Sequence, residues 1–143
     1  MKIGVRGHDY GRHCVKEFAE ILSKEGYETV QFAIPKAITG IRGFEDITLE
    51  LLDEVREEFS RQDIEIAVFS CYVDLSSPDE AVRMQAVDTF CRCMSYARHV
   101  GAWMVGTETA CMELKKTEKN RRFSLMADSL KRIAGEAERL GMV

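Results

Sequence analysis

The sequence predicts an α/β fold in which four short parallel strands alternate with four amphipathic helices. Three observations carry that prediction. Runs rich in β-branched and aromatic residues recur at residues 2–6, 28–33, 64–70 and 102–107. Each run is followed by apolar residues at helical spacing. Glycine stands where a helix hands over to the next strand, at Gly26 and Gly101, and again at Gly141 after the fourth helix. Strands that alternate with helices form parallel sheets with right-handed crossovers. Two architectures share this order, an open doubly wound sheet and a closed barrel.

In the first strand, alternation puts Ile3 and Val5 against the helices and Gly4, Arg6 and His8 on the interior face. The first helix buries a stripe of Val15, Phe18, Ala19 and Leu22. The second has Thr48 as its N-cap, with Ile47 and Leu52 placed to close a hydrophobic staple, and Val55 and Phe59 continue the stripe. The third starts with Ser77 as N-cap, Pro78 at the first helical position and Glu80 completing a capping box. Its apolar face is Val82, Ala86, Phe90, Cys93 or Met94, and Ala97. His13 and His99 fall within or at the ends of helices, where His99 suits the negative pole of the helix dipole. On the fourth strand Trp103, Val105 and Thr107 share one face, and Met104, Gly106 and Glu108 the other. The bulkier face meets the helices, which turns Glu108 inward. The fourth helix runs on Phe123, Met126, Leu130, Ile133, Ala137 and Leu140. Residues 141–143 follow it as earlier strands follow their helices, and read as the first residues of a fifth strand.

The 143 residues suit one domain spanning 1–143. A barrel built from eight such units takes about 250 residues, so this length corresponds to just over half of one, about four βα units. Net charge is −4, which leaves no electrostatic footprint for DNA or RNA. No apolar run reaches the roughly 20 residues of a membrane helix. The N-terminus meets charge at Lys2 and reads as a strand, not a targeting segment. The five cysteines, Cys14, Cys71, Cys91, Cys93 and Cys111, show no disulfide spacing, so reduced thiols in a cytoplasm are expected.

Ligands of parallel α/β folds bind at the C-terminal ends of the strands. The residues delivered there are Gly7-His8-Asp9-Tyr10, Ile34-Pro35-Lys36, Cys71-Tyr72-Val73-Asp74 and Thr107-Glu108-Thr109. His8 suits acid/base work or a hydroxyl contact. Arg6 and Glu108, both inward, fit a structural ion pair as well as they fit substrate contacts. Lys36 could meet a phosphate and Tyr72 could line a pocket, though a solvated lysine and simple packing serve as well. Nothing activates Cys71 or Cys111, and Cys91 and Cys93 point to different faces of a helix, so neither a reactive thiol nor a metal pair is expected. The basic run at residues 115–122 reads as a solvated loop and helix start. Phosphate-loop, dinucleotide, zinc-protease and serine-hydrolase motifs are all absent from the sequence.

The stretch Leu75-Ser76-Ser77-Pro78-Asp79, with Arg83 and the helix end Tyr96-Ala97-Arg98-His99-Val100-Gly101-Ala102, resembles the third βα unit of the xylose-isomerase-like sugar (phosphate) isomerases and epimerases. Val105-Gly106-Thr107-Glu108-Thr109 resembles that family's fourth strand end. Arg6-Gly7-His8-Asp9, and Gln31-Phe32-Ala33 with Lys36, resemble its first two. The resemblance implies a TIM (β/α)8-type barrel truncated to a half-barrel, acting on a sugar or sugar phosphate. It further implies a divalent metal (Mn, Mg, Co or Zn) in the full-length family, held by Glu, Asp and His mainly on strands five to eight. None of those ligands carries over to this chain, which is not expected to hold the metal or to be active alone. What carries over is a wall: His8 and Glu108 as catalytic candidates, with Arg6, Lys36, Tyr72 and Thr107 as substrate contacts. Two open sheet edges then predict self-association. Two other readings are a small non-catalytic α/β ligand-binding module and an endonuclease-IV-like repair enzyme, the latter weakened by the acidic charge balance.

Overall fold

In a computed structural model, residues 1–108 and 115–142 are described. Four strands, β1 (Gly4–Arg6), β2 (Thr29–Phe32), β3 (Glu65–Ser70) and β4 (Val105–Gly106), form one sheet in the order β1-β2-β3-β4. All three pairings are parallel. The helices are α1 (Val15–Lys24), a single turn α2 (Ile34–Ala37), α3 (Leu49–Arg61), α4 (Glu80–His99) and α5 (Lys116–Leu140). Sequential strands that neighbour one another in sequence order make an open half-barrel, not a doubly wound sheet.

The core lies between the sheet and the helices. Val30, Phe32, Ile66 and Phe69 project from one face of the strands into it. They meet Phe18 and Leu22 of α1, Leu52, Val55 and Phe59 of α3, and Phe90, Met94 and Ala97 of α4. Phe18, Phe32 and Phe59 form one aromatic group, with ring centroids 5.1 to 6.1 Å apart. A register shift between Val30 and Gln31 lets β3 spend one extra residue, so Ile66 and Phe69, three apart, both reach this core.

Four turns lead out of helices in one way. After α1, α4 and α5 a glycine takes a left-handed conformation: Gly26 (φ 81°), Gly101 (φ 81°) and Gly141 (φ 65°). After α3 the same place is held by Asp63 (φ 56°). In each case the next amide donates five residues back, as Tyr27 does to Leu22 (3.1 Å) and Ile64 to Phe59 (2.9 Å). This closes the last orphan carbonyls of the helix and aims the chain into the next strand.

Several expectations need correction. The N-cap of α4 is Asp79, which accepts from the amides of Ala81 (2.9 Å) and Val82 (3.2 Å). Ser77 does not start the helix, because its carbonyl accepts from the Arg83 guanidinium (2.8 Å) and the ladder begins instead at the Asp79 carbonyl. Ile3 and Trp103 do not pack on the helices; they are 60% and 55% exposed. Trp103 precedes the paired part of β4, and Ile3, whose carbonyl accepts from the amides of Glu28 (3.0 Å) and Thr29 (3.3 Å), stands at the start of the edge strand β1. On α5, Phe123 and Leu130 are exposed, and the buried positions are Ser129 and Ile133. Ser129 replaces the expected apolar contact with a hydrogen bond to the Leu75 carbonyl (2.8 Å), which rotates the helix onto α4 and the β3–α4 loop. His13 lies ahead of α1, bridged to Ile38, not inside a helix. Met142 is buried after Gly141; Val143 lies outside the described residues.

Candidate functional site

The rim at the C-terminal ends of the strands starts with a 3-10 turn, Gly7–Tyr10, that follows β1 directly. A Cβ on Gly7 would lie 2.9 Å from Phe18 Cζ and 3.1 Å from Val30 Cγ2. Only glycine lets this turn rest on the core, and that close approach sets the height of His8 above the sheet. The His8 ring meets Tyr72 edge to face, with centroids 5.9 Å apart. Tyr72 is fixed from below by Gln31, whose Nε2 donates to the Tyr72 hydroxyl (3.0 Å) and to Ser70 Oγ (3.1 Å). Lys36 Nζ sits 4.0 Å above the centre of the same Tyr72 ring. Lys36 is carried by α2, whose Ile34 and Ala37 are fully buried. Arg12 clamps that turn by donating to the Pro35 carbonyl at 2.8 Å.

The structure therefore brings His8 and Lys36 each into contact with Tyr72. Arg6 is close by, but its carboxylate partner is Asp9, to which it donates at 2.8 to 3.1 Å. Glu108 lies beyond the end of β4, and its charge acts on both Arg6 and His8. Burial pushes the His8 imidazole below its ordinary pKa, and the positive charges of Lys36 and Arg6 add to this against the pull of Asp9 and Glu108. His8 is therefore neutral at pH 7. Two buried polar atoms here, His8 Nδ1 and Thr107 Oγ1, have no hydrogen-bond partner among the described residues. Buried polar atoms are seldom left so, and such atoms on a rim suit the hydroxyl or carbonyl groups of a ligand.

Other rim candidates are occupied elsewhere. Asp74 accepts from the amide (3.0 Å) and hydroxyl (2.8 Å) of Ser76 and from Arg122 (3.0 Å). Burial works against its charge, but the bonds from Ser76 and Arg122 outweigh it and hold the carboxyl below the usual range. Arg122 thus ties α5 to the β3–α4 loop, giving the basic run a structural member. His99 Nε2 lies 2.8 Å from Asp53 Oδ1 and joins α4 to α3. Cys71 and Cys93 are buried together. A hydrogen bond with Cys71, and burial, push the Cys93 thiol far up, so it stays protonated. Cys111 and Thr109 lie outside the described residues.

Gln31 and Ser70 escaped the sequence reading as site residues. The available signal was an amide set between two fully buried residues, Val30 and Phe32, which alternation places on the opposite, interior face.

The described residues do not fit a divalent cation. Among them no three His, Cys, Asp or Glu side chains converge. The unpartnered imidazole also lies in the field of two cations, Lys36 and Arg6, which opposes a third.

The profile of the xylose isomerase-like TIM barrel matches residues 19–143. The chain belongs to that family. Solved structures of the same fold agree over almost its whole length. A D-psicose 3-epimerase with D-tagatose, from Clostridium cellulolyticum, superposes with TM-score 0.75 at 17% identity, covering 99% of this chain and 50% of that one. A 3-keto-D-glucoside 4-epimerase from E. coli gives TM-score 0.73 at 16% identity, covering 100% and 54%. An IolI protein with a bound zinc atom gives 0.74 at 19%, covering 99% and 49%. Among curated proteins nothing matches. The chain thus spans about half the length of the xylose isomerase-like barrels it superposes on. No helix among its described residues is long and apolar enough to cross a membrane.

Proposed function

We propose that this chain supplies the substrate-binding half of a sugar isomerase or epimerase barrel. The observation that carries the reading is the pair of buried polar atoms without a hydrogen-bond partner among the described residues, His8 Nδ1 and Thr107 Oγ1, on a rim where His8 and Lys36 both touch Tyr72. The epimerase structures on which the chain superposes support the sugar class. Neutral His8 hydrogen-bonds a substrate hydroxyl or carbonyl through Nδ1. Thr107, at the end of β4, is a further hydrogen-bonding group on the rim, and Tyr72 supplies an aromatic wall against the sugar carbons. Glu108, a carboxylate, takes or returns the proton next to the carbonyl, with His8 as its acid/base counterpart. Arg6 is a further substrate contact, held in place by Asp9. The divalent metal common in the family has no ligand set among the described residues, so no step is routed through it, and its ligands would come from outside the described set. We place the protein in the cytoplasm.

The test is solvent-deuterium exchange into the carbon next to the carbonyl of a ketose, made on the full product of the reading frame. Exchange that Glu108→Gln removes while ketose binding persists is expected. Exchange that survives in Glu108→Gln would remove Glu108 from the proton-transfer role, and no ketose binding at all would overturn the sugar reading.

A half-barrel also leaves apolar surface beside its open edge. A groove of 410 Å³ lies between β4 and α5, lined by Phe90, Met94, Val105, Leu130, Ile133 and Met142. We propose that a second copy of the chain covers it, as the two edge strands also invite. Sedimentation of the 143-residue chain is expected to give a dimer, and a monomer at all concentrations would refute this.

A further inference from the structure

We propose that Lys36 is the subsite for an anionic substituent of the substrate, a carboxylate or a phosphate carried at the end of the sugar away from the reacting carbons. This rests on the sugar reading above and adds the charge of the substrate to it.

The cations around the rim differ in what occupies them. Arg6 has a carboxylate partner in Asp9. Arg12 donates to the Pro35 and Ile41 carbonyls. Arg83 donates to the Ser77 carbonyl and Arg122 to Asp74. Lys36 alone of these has no carboxylate or carbonyl partner among the described residues, and its recorded contact is the face of Tyr72 at 4.0 Å. A ring face attracts an ammonium without accepting its three N–H donors in the way an anion does. The neighbouring hydroxyl adds a further donor. Tyr72 accepts from Gln31, which leaves its own proton to give.

Lys36 is itself exposed, and the turn that carries it is held in place. Ile34 and Ala37 flank Lys36, are fully buried and anchor the turn, while Arg12 holds the Pro35 carbonyl at 2.8 Å. The rest of the rim explains why the anion belongs here. Glu108, the proposed proton-transfer carboxylate, follows β4, and Lys36 follows β2. In the order β1-β2-β3-β4 the two are carried by strands that are not neighbours. A monosaccharide can then lie with its charge at the lysine end and its carbonyl near the acid. The reverse orientation would set the substrate's charge against Glu108.

The test titrates the 143-residue chain with D-fructose, D-fructose 6-phosphate, D-gluconate and inorganic phosphate, followed by amide chemical shifts, in the native protein and in Lys36→Met and Lys36→Arg. The expected result is that at least one anionic sugar binds about ten-fold or more tighter than fructose. Lys36→Met should erase that gap, and Lys36→Arg should keep most of it. Gluconate and the phosphate ester separate the two sources of charge. Equal binding of neutral and anionic sugars would overturn the anion subsite and leave the sugar reading standing. Inorganic phosphate bound through Lys36, with no sugar adding affinity, would keep the anion site and overturn the sugar reading. Anion binding that Lys36→Met does not weaken would overturn the assignment to Lys36.

Discussion

The two ends of the sheet are made from the same kinds of residue and treat them in opposite ways. At the N-terminal end, charges and backbone groups find one another within the fold. Lys2 pairs with Glu65, and Asp53 accepts from Arg56 and faces His99. The exits of α1, α3, α4 and α5 close with the same backbone hydrogen bond. At the C-terminal end, His8 Nδ1 and Thr107 Oγ1 have no partner among the described residues, and Lys36 rests on a ring instead of a carboxylate. The exposed ion pairs at the first end are worth little individually, so its stability rests mainly on the turns and the core above them. The rim leaves polar groups unsatisfied where a ligand could satisfy them. The difference separates residues that hold the fold from residues that wait for a partner.

The largest effect expected from breaking this comparison is at a turn. Gly101 takes φ 81°, where a side chain is strained although no atom lies within 4 Å of its would-be Cβ. Gly101→Ala should therefore cost about 1–2 kcal/mol in urea unfolding through backbone conformation alone. Asp63 occupies the equivalent turn after α3 at φ 56°. Asp63→Gly should move the other way and stabilise by a few tenths up to about 1 kcal/mol. Ligand shifts at the rim should be the same in both variants. A stabilising Gly101→Ala, or a destabilising Asp63→Gly, would show that side-chain contacts and not the left-handed conformation set the energy of these turns.

These turns also show where the sequence was legible and where it was not. Gly26, Gly101 and Gly141 announced three helix ends because glycine is the cheap residue for a left-handed turn. Asp63 carried no such signal, since most aspartates lie elsewhere. The strand and helix order, and with it the half-barrel, followed from periodicity that the core imposes: Phe18 with Leu22, and Val55 with Phe59, are buried as their spacing requires. Parity failed at Ile3 and Trp103, which stand at the starts of the two edge strands. The cap of α4 moved from Ser77 to Asp79 because a distant guanidinium, Arg83, claims the Ser77 carbonyl. On the rim, sequence position alone placed His8, Lys36 and Tyr72 at strand ends. The contact of His8 with Tyr72 depends on how deeply Gly7 lets the first turn sink, which is a tertiary quantity. Gln31 and Ser70 support Tyr72 from a second and third strand, and no local pattern reports that.

The smallest effect belongs to the rim itself and appears as a pH dependence. His8 is held below its ordinary pKa of 6.5 by burial, then by Lys36 and Arg6. In the unfolded chain the imidazole takes up its proton near 6.5, while the folded protein does so only at lower pH. As pH falls through 6.5 the unfolded state therefore binds more protons, and stability declines until the folded His8 is also protonated. The depressed carboxyls, Asp9, Asp46, Asp53 and Asp74 with Glu50 and Glu136, act in the same direction, but only near and below their ordinary values of 3.8 and 4.5. Unfolding measured between about pH 5.5 and 7.5 should thus show a slope that His8→Gln removes. Lys36→Met should shrink the slope, since it takes away one of the charges that hold His8 neutral, but should not abolish it, because burial remains. A slope unchanged in His8→Gln would mean that another group titrates in this range and that His8 is not held neutral by the rim. A slope that Lys36→Met leaves untouched would place the lysine too far from the imidazole to act on it, and would break the link between the anion subsite and the acid/base residue beside it.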